Sequence, residues 1–251
     1  MAKKKIYRIL YWAMVVLAGS VFLVAAFMIG KHFYEAKKSA DQFEQLEALV
    51  ETPPVEQEEQ IKELTPREKY ASLLAENDDF AGWIQIADTR INYPVMQTVD
   101  EPNFYLRRGF DKEYDYYGIP YAAEHCDLQE SDNVVIYGHH MNNGTMFSDL
   151  KKYSSKDFYL THSRIRFDTL EEFGTYEIFA VFKISAYDSF DYHHFSDAID
   201  EADFDRFVAE CKNRSYYDTG ITPQYGDRLL TLSTCEYSID NGRLVVLARK
   251  F

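Results

Sequence analysis

Residues 229–235 read Leu229-Leu230-Thr231-Leu232-Ser233-Thr234-Cys235, and eight residues beyond the cysteine stands Arg243, inside Asn241-Gly242-Arg243-Leu244-Val245-Val246-Leu247. The β-branched and apolar character of Leu229 to Thr234, bounded upstream by Tyr225-Gly226-Asp227, predicts a buried strand. Cys235 falls where that strand turns polar. Asp240-Asn241-Gly242 is turn chemistry, and Arg243 opens a second apolar run. The pattern is a hairpin that carries a thiol and a guanidinium to the same end of a sheet. A lone cysteine is more often a small buried hydrophobe than a nucleophile. A thiol nucleophile also needs an acid/base, which the fold can bring from far away in the sequence. Val134-Val135-Ile136-Tyr137-Gly138-His139-His140-Met141 offers one, as a second strand that ends in histidine.

Three stretches carry a family resemblance: Tyr-Gly-His-His-Met-Asn-Asn-Gly-Thr-Met-Phe at 137–147, Thr-Leu-Ser-Thr-Cys at 231–235, and the late Arg243. Together, in the order His, Cys, Arg and at strand ends, they resemble the signatures of a class B sortase from about Thr65 onward. The resemblance implies that Cys235 is the nucleophile and His139 the acid/base, since the family's catalytic histidine directly follows the glycine. It implies that Arg243 holds the substrate backbone or the oxyanion. His140 points to the other strand face, so the two histidines cannot share the role. Ser233, Thr234 and Glu236 flank the thiol, and Tyr137 shares the face of His139; these are expected to shape the substrate pocket. Tyr192 lies in the segment where class B sortases place a substrate-contacting loop, although it is also one of 20 tyrosines. The histidine pairs His139–His140 and His193–His194 raise the question of a metal. Neighbouring histidines on an extended chain rarely converge on one ion, so neither metal nor cofactor is expected.

The ends of the chain locate this chemistry. Lys3, Lys4, Lys5 and Arg8 precede a run from Ile9 to Gly30 of 22 residues without a charge. At about 1.5 Å per residue such a helix covers the roughly 30 Å hydrocarbon core. The basic flank predicts a cytoplasmic N-terminus and an external remainder. The apolar run exceeds the 7–15 residues usual for a cleaved signal and ends in bulky side chains, which favours an uncleaved anchor. Four of the 27 basic residues precede Gly30, so 23 face 41 acidic ones outside the membrane. So acidic a surface argues against nucleic acid.

Four segments result: a basic cytoplasmic stretch 1–8, a transmembrane anchor 9–30, an extracellular spacer 31–64 containing Pro53-Pro54, and a catalytic domain 65–251. Thr65-Pro66-Arg67-Glu68 predicts a capped helix presenting Tyr70, Leu73 and Leu74. From Phe80 the period shifts towards two. A hairpin over Gly82–Ile86 and Ile91–Met96 precedes short strands near Tyr117–Ala122, Asn133–Tyr137, Arg164–Asp168, Thr175–Ser185, Asp227–Thr234 and Arg243–Arg249. Phe204, Phe207, Val208 and Cys211 mark a helix over Glu201–Arg214 with an apolar face. The fold class is mainly β, and the resemblance implies an eight-stranded sortase-type barrel with an N-terminal helix and a helix before the penultimate strand. Cys126 sits in a polar loop with no evident task, and a Cys126–Cys211 bridge stays open.

By resemblance, the function is that of a membrane-anchored cysteine transpeptidase. It would cleave a C-terminal sorting signal of the Asn/Ser-Pro-x-Thr-Asn/Gly kind after threonine in secreted proteins, and join the thioacyl product to a peptidoglycan precursor amine. A pilus-building enzyme with a lysine acceptor ranks lower, because such enzymes often carry a lid or a second C-terminal membrane helix and this sequence ends at Phe251 after its last strand. A non-catalytic anchored ectodomain is the remaining alternative.

Overall fold

The structure is a computed structural model that describes residues 2–51 and 64–251; Met1 and residues 52–63, including the expected spacer prolines Pro53-Pro54, lie outside the described residues. Helix α1 runs from Ala2 to Glu51, so the apolar run does not end as a separate element at Gly30. The reason is composition: no glycine or proline falls between Gly30 and Pro53, and Ala, Glu, Gln, Lys and Leu there are good helix formers. Among the described residues α1 is the one helix long and apolar enough to cross a membrane.

The chain separates into two compact units, Met1–Gln42 and Phe43–Phe251. Within the second, the last turns of α1 bury Phe43 and Leu46. The ring of Phe43 meets Tyr93 edge-on at 5.0 Å, and Asn92 donates to Glu47. Packing of this unit therefore starts upstream of Thr65. Helices α2 (Pro66–Lys69) and α3 (Ala71–Glu76) follow, opened by the reciprocal Thr65–Glu68 capping box that the sequence announces. Tyr70 docks them by stacking on Trp83 and donating a 2.7 Å hydrogen bond to buried Asp168.

Eight strands form the body: β1 (Phe80–Gln85), β2 (Asn92–Met96), β3 (Tyr121–Ala122), β4 (Asn133–Tyr137), β5 (Arg164–Thr169), β6 (Thr175–Ser185), β7 (Leu229–Glu236) and β8 (Gly242–Lys250). They close in the order β1-β2-β3-β4-β7-β8-β6-β5, with β5 pairing back onto β1. Closure leaves no open sheet edge. Helix α4 (Lys156–Thr161) precedes β5, and α5 (Glu201–Arg214) lies before the penultimate strand. Phe204, Phe207, Val208 and Cys211 of α5 are buried with Phe182 and Leu247 of the barrel, so the 3.6-residue period set its inner face as expected.

All three cysteines are free thiols. Cys211 belongs to the cluster under α5 and Cys126 to a separate one with Ala123 and Val135. Cys126 lies in the loop after β3, as read from the sequence, but its side chain is buried there and its Sγ donates to the Asn133 carbonyl at 3.5 Å.

Candidate active site

Strand direction assembles the site. β4 and β7 are parallel neighbours, with Ile136 opposite Leu232 and Tyr137 opposite Ser233. Parallel strands end at the same edge, so the residues just past each pair, His139 and Cys235, emerge side by side. The ladder extends one step, from Gly138 N–H to the Ser233 carbonyl at 3.1 Å. Side chains alternate, so Tyr137, His139, Ser233 and Cys235 share one face. β8 runs back from the same edge and sets Arg243 directly opposite Cys235. Asn241 makes this return possible with a left-handed φ of 46° in the connecting turn, a conformation asparagine tolerates. Gly138 has a spatial reason: a Cβ there would stand 2.5 Å from the Phe147 ring.

Cys235, His139 and Arg243 line one cleft of about 360 Å³. Nε2 of His139 lies 2.7 Å from the Leu106 carbonyl oxygen. A carbonyl only accepts, so Nε2 carries the proton and Nδ1 is the basic nitrogen of the neutral ring. Burial pushes the His139 pKa below its ordinary value; the Leu106 contact opposes this and the charge of Arg107 adds to it. His140 lies outside the cleft lining, and its Nδ1 meets the Cys235 carbonyl at 3.0 Å. It pins the backbone of Cys235 while Tyr237 donates to its own carbonyl at 3.1 Å. Arg243 uses Nη1 for three contacts, to the carbonyls of Asn241 and Gly242 and to the Asn241 side chain. Among the described residues Nε and Nη2 make no hydrogen bond.

Ser233, Thr234, Tyr137 and Tyr192 also line the cleft. Tyr192, in the turn between β6 and α5, is only 4% exposed, and its hydroxyl pairs with Ser233 Oγ at 2.8 Å, so it forms part of the cleft wall. Thr234 Oγ1 is buried without a hydrogen-bond partner among the described residues. Burial holds the phenols of Tyr121, Tyr137 and Tyr192 above their ordinary pKa, so all three stay protonated. Glu236 is not among the lining residues. Alternation turns it away from Cys235, and it pairs with Lys183 at 3.2 Å and accepts from Ser238. Although burial acts to raise its pKa, the Ser238 and Lys183 contacts hold the carboxyl below the usual range.

Several lining residues carry no sequence signal. Leu106 contributes a backbone carbonyl from the 3₁₀ turn Phe104–Arg107, to which any side chain would be equivalent. Tyr121 closes one wall against Tyr137, ring centres 5.5 Å apart, and its hydroxyl donates to Asn103 at 2.8 Å. The premise that His193 and His194 lie on an extended chain is also corrected. The segment turns, and both imidazoles reach Asp191.

A closed eight-stranded barrel with cysteine, histidine and arginine at one cleft defines a class of thiol enzyme. The sortase-domain family model matches residues 84–251, and the chain belongs to the sortase family of cysteine transpeptidases. Within that family its similarity is to class B. It is 30% identical over 234 residues to sortase B of Listeria monocytogenes, covering 90% of each chain. To sortase B of Staphylococcus aureus it is 29% identical over 234 residues, covering 91% of each. The solved Staphylococcus aureus sortase B–substrate complex superposes with a TM-score of 0.76 at 28% identity, over 87% of this chain and 98% of that one.

Proposed function

We propose that Cys235 is the nucleophile, His139 the acid/base and Arg243 the oxyanion and backbone clamp of a class B transpeptidase held at the membrane by α1. The substrate is a secreted protein with a C-terminal sorting signal of the Asn/Ser-Pro-x-Thr-Asn/Gly type, and the acceptor is a peptidoglycan precursor amine. The observation that carries this reading is the strand register. Two parallel strand ends and one antiparallel start bring thiol, imidazole and guanidinium to one cleft.

The steps follow from the protonation state. Neutral His139 takes the thiol proton as Cys235 Sγ attacks the threonine carbonyl carbon. The tetrahedral oxyanion faces Arg243. The C–N bond then breaks, and the imidazolium gives its proton to the departing amine. In the second half the acceptor amine attacks the thioester, His139 takes the proton from nitrogen, and Cys235 leaves as the sulfur anion, which takes that proton from the imidazolium to restore the starting pair. An amide has been exchanged for an amide, with no change in oxidation state.

The full chain in detergent, given Asn-Pro-x-Thr-Asn and Ser-Pro-x-Thr-Gly peptides with a panel of amines, is expected to yield products joined at threonine. Mass spectrometry reads them. Release of threonine-ended fragments with none joined to any amine would sink the transpeptidase reading in favour of simple hydrolysis. The pH profile tests His139 separately. Its pKa is lowered, so the neutral base persists as pH falls, and the acid-side midpoint of kcat/KM is expected below the ordinary histidine value of about 6.5. Arg107 lowers that pKa, so Arg107→Gln is expected to move the midpoint upward. A midpoint indifferent to Arg107 and above 6.5 would remove His139 from the role.

A further inference from the structure

One feature of the cleft lip lies outside the transpeptidase chemistry. Asp191 Oδ1 is 3.0 Å from His193 Nδ1, and its Oδ2 is 2.8 Å from His194 Nδ1. The three ligand atoms lie within 4.8 Å of one another. The two imidazole centres are 4.3 Å apart, and His125, from the β3–β4 connection, stands 5.5 Å from His194. Side-chain exposures of 57%, 38% and 65% for Asp191, His193 and His194 leave the group open to solvent. His125, His193 and His194 line the same cleft as Cys235.

A surface carboxylate beside one histidine is an ordinary weak pair. Here two imidazoles aim Nδ1 at a single carboxylate, and a third ring flanks them. Each shared proton stands where an ion would. When the N–H proton of a neutral ring moves from Nδ1 to Nε2, the freed Nδ1 lone pair stands beside a carboxylate oxygen, and all three ligand atoms remain within 4.8 Å of one another. Zinc–nitrogen bonds are about 2.0–2.1 Å, which sets tetrahedral ligand atoms roughly 3.3 Å apart, so the two carboxylate–imidazole pairs open slightly to admit the ion, a change that an exposed turn can make.

We propose that Asp191, His193 and His194 form a site for a divalent transition metal, with zinc the type ion. Imidazole with carboxylate selects zinc, copper or nickel over calcium and magnesium, which prefer all-oxygen sets. Arg243 lines the same cleft, and its charge weakens the site. The metal obstructs the entrance and slows transpeptidation. That consequence rests on the proposed function; the binding itself does not.

The test is equilibrium dialysis of the untagged full chain in detergent against zinc chloride. Wild type is expected to take up one zinc per chain. His193→Ala with His194→Ala, and separately Asp191→Asn, are expected to raise Kd at least tenfold, while Cys235→Ala keeps the zinc. Cobalt in place of zinc gives a visible absorption band that His194→Gln abolishes, a single exposed change that keeps the question open to measurement should the double variant fail to fold. In wild type, saturating zinc is expected to slow transpeptidation at least tenfold. Uptake unchanged by the histidine substitutions, or lost in Cys235→Ala, overturns the site. Zinc uptake at this site without slowed transpeptidation overturns only the regulatory consequence.

Discussion

Replacing Cys235 by alanine is expected to lower transpeptidation by at least about 10⁴-fold, the scale on which removing a covalent nucleophile acts. The chain has three thiols, and physics separates them. Cys126 is buried, which pushes its thiol up to about 11, and burial beneath α5 pushes the Cys211 thiol well above its ordinary value. Neither can supply a thiolate near neutral pH, and neither lines the cleft. Cys235 is half-buried, on the cleft wall, opposite Arg243. The discriminating measurement is the intact-protein mass after mixing with a sorting peptide and no acceptor amine. Wild type should gain the mass of the fragment ending in threonine, as a thioester that hydroxylamine removes. Cys235→Ala should gain nothing while keeping its melting temperature. Cys235→Ser should be nearly as inactive, because a hydroxyl is far harder to deprotonate than a thiol and a base with a lowered pKa is a weak one. An adduct on Cys235→Ala, or an unimpaired rate, would move the chemistry to another group.

How the sequence discloses this arrangement depends on the range of the interactions involved. The stretches 134–136 and 229–232 are rich in Val, Ile and Leu because both strands are buried within the closed barrel. The turn at Asp240-Asn241-Gly242 is local chemistry, so the Cys235–Arg243 hairpin could be read directly. The helix over Glu201–Arg214 was equally legible from its period. β3 lies within the strand read near Tyr117–Ala122, but with two residues and only one partner pair with β2 it has no period to mark its bounds. The 3₁₀ segments Phe104–Arg107 and Phe147–Ser154 lack the length for a helical stripe. The Leu106 carbonyl that fixes the His139 tautomer is 33 residues upstream and carries no side-chain signature. Glu236 shows the converse: adjacency in sequence to the thiol suggested a pocket residue, yet strand alternation sends it to Lys183. Residues one apart in a strand are neighbours in the chain and strangers in the sheet.

Arg243→Lys is expected to cost about 10²–10³ in kcat, the loss found when one preorganised oxyanion donor is removed, with the positive charge retained. The reason lies in how the guanidinium is spent. Nη1 is held by the carbonyls of Asn241 and Gly242 and by the Asn241 side chain, all within the turn that joins β7 to β8. That fixes the plane of the group and presents its other nitrogens as donors in a rigid fork, opposite the thiol in the strand ladder. An ammonium is a single rotatable point. It can satisfy the turn carbonyls or reach an oxyanion, but its one nitrogen cannot do both in fixed geometry. The kinetic split decides between the two roles proposed for the arginine. A group that meets charge only in the transition state lowers kcat and kcat/KM alike and leaves KM almost unchanged. A group that holds the substrate backbone equally in ground and transition states raises KM at constant kcat. A rise in KM alone would therefore reassign Arg243 to substrate binding and leave the oxyanion to the cleft's other donors. Thr234, which lines the same cleft and whose Oγ1 has no partner among the described residues, would then be the first to examine.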